Sequence, residues 1–362
     1  MAEYRNFRAG GSTVRLSTTF YNCFFVFCSF IITCAVFNQA ISQRFWQPDL
    51  GEISLKLEAF GESDQPNSIL FFGSSHINYA VSPAAVDKIL NVQHPEISSY
   101  NLGISGMTLS EREHMLREAL RINGNKTKFV VIELELRTPP LFANLLTERR
   151  RFFASPEFIS SALWAKLDSR RPLKKRLIAS GMIGTTFLLN QLNLGVGSDI
   201  LLPPANKPKP HSEYQFSNAG WRDGEALLAK RNLDRISDSI ARASKEKVVP
   251  RELTEAEFAS MESDLKIIEA SGCTPVILFP PACSGLDDVY SIRNRILQSF
   301  PELVVIDTTP ESPEWRLFCQ PELWFDYGHL SKSGAEIYSQ LIAQQLNAIL
   351  ETSLKSDGTS RR

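Results

Sequence analysis

Two short stretches hold side chains whose types suit acyl-group chemistry. The first is Phe71-Phe72-Gly73-Ser74-Ser75-His76, an apolar run that breaks at a glycine and then offers two hydroxyls and an imidazole. The second is Phe325-Asp326-Tyr327-Gly328-His329-Leu330. A serine hydroxyl is a weak nucleophile until an adjacent base takes its proton. An imidazole suits that task, and a carboxylate on its far nitrogen holds the ring and supports the charge it gains. Ser75 as nucleophile, His329 as base and Asp326 as orienting carboxylate make one such set. Singly, each stretch has a plainer reading. Gly-Ser-Ser is a common turn, and Asp-x-x-His also suits metal ligation or a helix cap.

The surrounding pattern predicts elements that would bring the two stretches together. Apolar runs at Ser68–Phe72, Ser98–Leu102, Lys128–Leu136, Thr274–Phe279 and Leu303–Asp307 read as five buried strands. Between them, Ser82-Pro83 starts a helix to about Leu90, and Ser110 with Glu113 forms a capping box opening a helix to about Arg121. Thr254 with Glu257 forms another, for a helix running towards Ser271. Residues 287–300 and 335–350 also read as helical. Strands alternating with helices imply parallel pairing, and so an α/β three-layer sandwich with a five-stranded parallel sheet. Sites in such sheets lie at the carboxyl ends of the strands, where Ser75 falls. Residues from about 140 to 250 lack the alternation and read as a helical insertion.

Taken together, the Gly-x-Ser after the first strand and the Asp-x-x-His near the end resemble the SGNH (GDSL-like) hydrolases. Gly73-Ser74-Ser75 stands for the family's first block, with Ser74 in place of its usual Asp. Asn101-Leu102-Gly103-Ile104-Ser105-Gly106 is similar to the second block, so the resemblance implies an oxyanion hole of the Ser75 and Gly106 amides. The third block differs, because Arg137 stands where the family has Asn. The resemblance implies a flavodoxin-like fold, a Ser75–His329–Asp326 triad and no cofactor or metal. Arg137, His76 and Trp221 are the candidates for substrate contact. Within the family the chain looks closest to membrane-anchored members that work beside a membrane-bound O-acyltransferase. Those of teichoic-acid D-alanylation and alginate O-acetylation are of this kind. The function implied is O-acyl transfer to, or removal from, a cell-envelope glycan. The alternative is a non-catalytic glycan-binding or scaffold partner of such a transferase.

The chain's 362 residues, with 39 basic and 40 acidic side chains, give a globular composition without the basic excess of a nucleic-acid binder. From Leu16 to Gln43 there is no charge, enough for the roughly 20 residues that cross a bilayer. Arg5, Arg8 and Arg15 precede that stretch and favour a cytoplasmic N-terminus. A leader cleaved near Ala40-Ile41-Ser42 and a buried core helix are the other readings. The organisation expected is a cytoplasmic tail over 1–15, an anchor over 16–43 and a linker or first helix over 44–67. An exported α/β domain over 68–350 follows, with a flexible tail over 351–362. Of six cysteines, Cys273, Cys283 and Cys319 lie in the exported part and read as buried structural thiols, though one disulfide with a spare thiol also fits.

Overall fold

A computed structural model of the chain describes residues 4–9, 12–45, 50–63, 66–134, 149, 152–153, 173–191, 217, 219–224, 228, 231–245, 250, 253, 255–283 and 286–359. The first elements in chain order are β1 (Tyr4–Ala9), β2 (Ser12–Ser17), α1 (Thr18–Phe45), α2 (Glu52–Gly61), β3 (Ile69–Phe72), α3 (Ser75–Ala80), α4 (Pro83–Leu90), β4 (Ser99–Asn101), α5 (Leu109–Asn123) and β5 (Phe129–Glu133). They are followed by α6 (Leu173–Gln191), α7 (Leu233–Lys245), α8 (Glu255–Ala270), β6 (Thr274–Phe279), α9 (Leu286–Ser299), β7 (Val304–Asp307) and α10 (Lys332–Thr359). The chain divides into two compact units, residues 1–50 with 140–209, and residues 51–139 with 210–362.

The second unit holds a five-stranded parallel sheet in the order β4-β3-β5-β6-β7. Successive strand residues face opposite sides. Ile69, Phe71, Phe129, Val131, Val276, Leu278 and Ile306 join one core cluster with Val86 and Leu90 of α4 and Tyr338 and Ile342 of α10. The alternate residues Leu70, Phe72, Val130, Ile132, Ile277 and Phe279 are buried too. Both faces of the sheet are therefore covered, as parallel strands with continuous apolar runs require. Helix α4 packs on α10, and α5 packs on both α2 and α8. The chain leaves β3 for β4 on one side, then crosses to β5 on the other. That reversal opens a crevice at the carboxyl end of β3.

Several expectations shift. The capping box lies two residues earlier, where Glu111 Oε2 accepts from the Thr108 N–H at 2.7 Å. Of the two readings for 44–67, linker or first helix, the helix holds: the stretch contains α2, which buries Glu52, Ile53, Lys56 and Phe60. The insertion expected over 140–250 ends earlier. In α7, Ile236, Ile240 and Ala243 recur at helical spacing and enter the sheet's core cluster. Before it, the Asn101 N–H donates to Ala219 O at 2.9 Å, which lays residues 219–221 along the edge of β4. Helix α10 runs on to Thr359, through most of the expected tail.

In the first unit β1 and β2, over the stretch expected as a cytoplasmic tail, form an antiparallel hairpin, and α1 touches α6. The stretch expected as an anchor falls on α1, which exposes Phe20, Phe24, Phe25, Phe27, Phe30 and Ile32. Among the described residues no helix is long and apolar enough to cross a membrane. The side chains of α1 from residue 37 onwards lie outside that description.

Candidate active site

Strand β3 stops at Phe72, and within three residues the chain turns into α3. Ser74 caps that helix, its Oγ accepting from the His76 N–H at 3.2 Å. Ser75 is therefore the first helical residue, at the carboxyl edge of the sheet. Its Oγ lies 2.7 Å from His329 Nε2. On the other side of that ring, Nδ1 lies 2.9 and 3.0 Å from the two oxygens of Asp326. An ionised carboxylate only accepts, so Nδ1 carries the proton and Nε2 accepts from the Ser75 hydroxyl.

The loop that carries Asp326 and His329 is self-bracing. Asp326 Oδ1 accepts from the backbone N–H of Gly328 at 2.7 Å and of His329 at 2.9 Å. Burial pushes the Asp326 carboxyl up, but the hydrogen bond and charge of His329 and these two amides outweigh it and hold it below the usual carboxylate value. The His329 ring stacks on Phe325 with centroids 5.2 Å apart, and Tyr79 meets it edge-on at 5.5 Å. Tyr79 is fixed in turn, since the Trp221 indole donates to its carbonyl at 3.0 Å and the Arg222 guanidinium sits 5.3 Å from its ring centre.

Beneath Ser75 lies a second carboxylate. Glu133, the last residue of β5, is 3 % exposed. It accepts from the Ser74 N–H at 2.7 Å and lies 2.9 Å from His76 Nδ1. This explains Gly73, whose backbone has no positive φ. A Cβ there would overlap Ile77 and stand 2.5 Å from Glu133 Oε2. The glycine is required so that the carboxylate can pass under the turn.

The loop after β4 completes the rim. It is tied to the first loop by the Ile104 N–H, which donates to Gly73 O at 3.0 Å. A Cβ at Gly103 would lie 2.6 Å from Asn78 N, so the loop presses directly on α3. Helix α2 holds it from below. Lys56, fully buried, donates to Gly103 O at 2.6 Å, Asn78 Oδ1 at 2.9 Å and Asn101 O at 3.2 Å. Glu52, 1 % exposed, accepts from Asn78 Nδ2 at 2.7 Å and from the Ser105 N–H at 3.0 Å. Gly106 follows with φ of 62°, in the left-handed region that favours glycine.

No protein-family model matches the chain, and no curated protein matches it. The geometry therefore stands by itself. It brings together Ser75, His329, Asp326 and His76, and it ties the loop of Gly106 to the turn of Ser75. Trp221 supports the site through Tyr79, with its N–H already engaged. Arg137 lies outside the described residues. Among the described residues no cluster of metal-ligating side chains forms, and the cysteines are free. Cys273 and Cys283 are buried and Cys319 is exposed. Sequence reasoning passed over Glu52 and Lys56. Their one signal is an acid and a base four apart on a face that also carries Ile53 and Phe60. Glu133 ends an apolar strand, and it is buried, paired and beside the site.

Proposed function

We propose that the chain is a serine-dependent acyl-ester enzyme of the SGNH type, acting outside the cytoplasm on a cell-envelope glycan. The contact that carries this reading is the 2.7 Å approach of Ser75 Oγ to His329 Nε2, backed by Asp326. As the Ser75 Oγ bonds to an acyl carbonyl carbon, its proton passes to His329 Nε2. Asp326 stabilises the imidazolium. The oxyanion is met by the amides of Ser75 and Gly106, with Arg137 as a further donor from beyond β5. When the tetrahedral centre collapses, the leaving oxygen departs with the proton held by His329. A glycan hydroxyl or water then attacks the Ser75 ester by the same steps in reverse, giving O-acylation or de-esterification.

The uncharged stretch over 16–43 acts as the anchor, with the preceding arginines inside, so the sheet domain lies outside. A membrane-bound O-acyltransferase is the partner that supplies or receives acyl groups, acetyl in the simplest case. His76 and the ring face of Trp221 contact the substrate.

The test is labelling with a fluorophosphonate, together with turnover of p-nitrophenyl acetate. Wild type is expected to label at Ser75 and to turn over. Ser75→Ala is expected to fold, with neither label nor turnover. A folded wild-type protein that does not label overturns the catalytic reading in favour of a scaffold role.

A further inference from the structure

The helix that carries the nucleophile is short. α3 has six residues, too few to hold a helical form unaided. Two fully buried asparagines clasp it to the loop after β4, one from each side. Asn101, at the end of β4, donates from Nδ2 to the carbonyls of Ile77 at 2.8 Å and Val81 at 2.6 Å, and its Oδ1 accepts from the Gly103 N–H at 2.8 Å. Asn78, on the helix three residues beyond Ser75, reaches the other way. Its Oδ1 accepts from Lys56 at 2.9 Å, and its Nδ2 donates to Glu52 at 2.7 Å and to Ser105 Oγ at 3.3 Å. Donors and acceptors run in one sense through this chain. Lys56 donates to Asn78, Asn78 donates to Glu52, and Glu52 also accepts the Ser105 N–H. Turning the Asn78 amide round would set its nitrogen against Lys56 and its oxygen against Glu52.

We infer that Asn78 is a positioning residue for catalysis, setting how far the 103–106 loop stands from Ser75; the inference rests on the serine-enzyme reading above. Asn78 touches no reacting atom. It acts through the two side chains that hold the loop, Lys56 on the Gly103 carbonyl and Glu52 on the Ser105 amide. Because Asn78 belongs to the nucleophile's own helix, the loop is registered against Ser75 and not merely against α2. Any donor that the loop turns towards the oxyanion moves with it, and misplacing such a group by about 1 Å costs up to about a hundredfold in rate.

The test exchanges donor and acceptor across the Asn78–Glu52 contact. In Asn78→Asp two carboxylates face each other. In Glu52→Gln the new N–H meets either Asn78 Nδ2 or the Ser105 N–H. The double variant Glu52→Gln/Asn78→Asp moves the acid one place along the chain. The N–H at 52 then donates to the carboxylate at 78, the oxygen at 52 accepts from Ser105, and Lys56 keeps its acceptor. Turnover of p-nitrophenyl acetate is measured per site labelled by fluorophosphonate, beside the affinity for phenylboronic acid, which bonds to a serine Oγ as a tetrahedral anion. Each single variant should lose about tenfold to a hundredfold in kcat and a similar factor in boronic acid affinity, with KM within about twofold of wild type. The double variant should return both to within about threefold of wild type. Damage to packing alone would lower the number of labelled sites and leave kcat per site as it was. Should Asn78→Asp not fold, Glu52→Gln and the double variant carry the comparison. An unchanged kcat per site in the single variants, a boronic acid affinity that stays put while KM rises, or a double variant that is no better than the singles or does not fold each overturns the assignment. Wild type that neither labels nor turns over fails the serine-enzyme reading itself, and this inference with it.

Discussion

The two loops that flank Ser75 are held in opposite ways. The 326–329 loop braces itself, with Asp326 fixed by amides two and three residues along the chain and fixing His329 in return. The loop after β4 has its supports elsewhere. Its carbonyls at Asn101 and Gly103 end on Lys56, and its Ser105 amide ends on Glu52, both from α2. A local device survives as long as its own few residues do. A borrowed one depends on buried ionisable side chains and on the docking of a whole helix.

That contrast separates loss of chemistry from loss of fold. Asp326→Asn keeps an oxygen for the two amides but no longer fixes the tautomer of His329. Its kcat should fall about 10,000-fold, as in triads of the same wiring, while the thermal midpoint moves little. A large drop in midpoint would show that the loop is less self-sufficient than its hydrogen bonds indicate. Lys56→Met should do the reverse. It strips three acceptors of their donor and removes the charge that acts on Glu52, at a cost of about 3–5 kcal/mol in urea unfolding at pH 6, where Lys56 is charged. Faster amide exchange at Ser105 and Gly106 should accompany that cost. Adding Glu52→Gln to Lys56→Met should recover part of the loss, because no lone charge is then left inside. A double variant no more stable than the single one would mean that the hydrogen bonds, not the charges, carry the support.

The same contrast explains what was legible in the sequence. The five strands could be read because a parallel sheet covered on both faces demands short continuous apolar runs, and those runs stand out. Ser75, Asp326 and His329 could be read because a glycine-broken strand end and an Asp-x-x-His loop are local patterns. Lys56 and Glu52 could not. A Glu and a Lys four apart on a helix ordinarily form an exposed pair, and only the fold reveals that this face turns inward. Glu133 was ambiguous for the same reason, at the end of an otherwise apolar strand. The shift of the capping box from Ser110–Glu113 to Thr108–Glu111 has a different origin. Both pairs fit the spacing, and the turn at Ser105-Gly106 lets the helix start at the earlier one.

The smallest expected effect tests the charge state of the borrowed support. Burial pushes the Lys56 ammonium down from its ordinary 10.5 to about 7, with Glu52 pulling it back up and Arg222 pressing it further down. Between those two values the unfolded chain holds a proton on Lys56 that the folded chain has released. The unfolded state then binds more protons, so this group makes stability rise with pH across the window. Below about pH 7 the lysine is charged in both states and the full penalty of burying it applies. Relative to Lys56→Met, wild type should therefore gain stability from pH 7 upwards, by at most about 1.4 kcal/mol per pH unit. Urea unfolding of the two proteins at pH 6, 8 and 9 measures the difference. Three acceptors surround Nζ and match the three donors of an ammonium, which opposes the loss of its proton. A stability difference that stays flat across the window would mean that this cradle and Glu52 outweigh desolvation, so that the loop is held by a buried cation and not by a neutral amine.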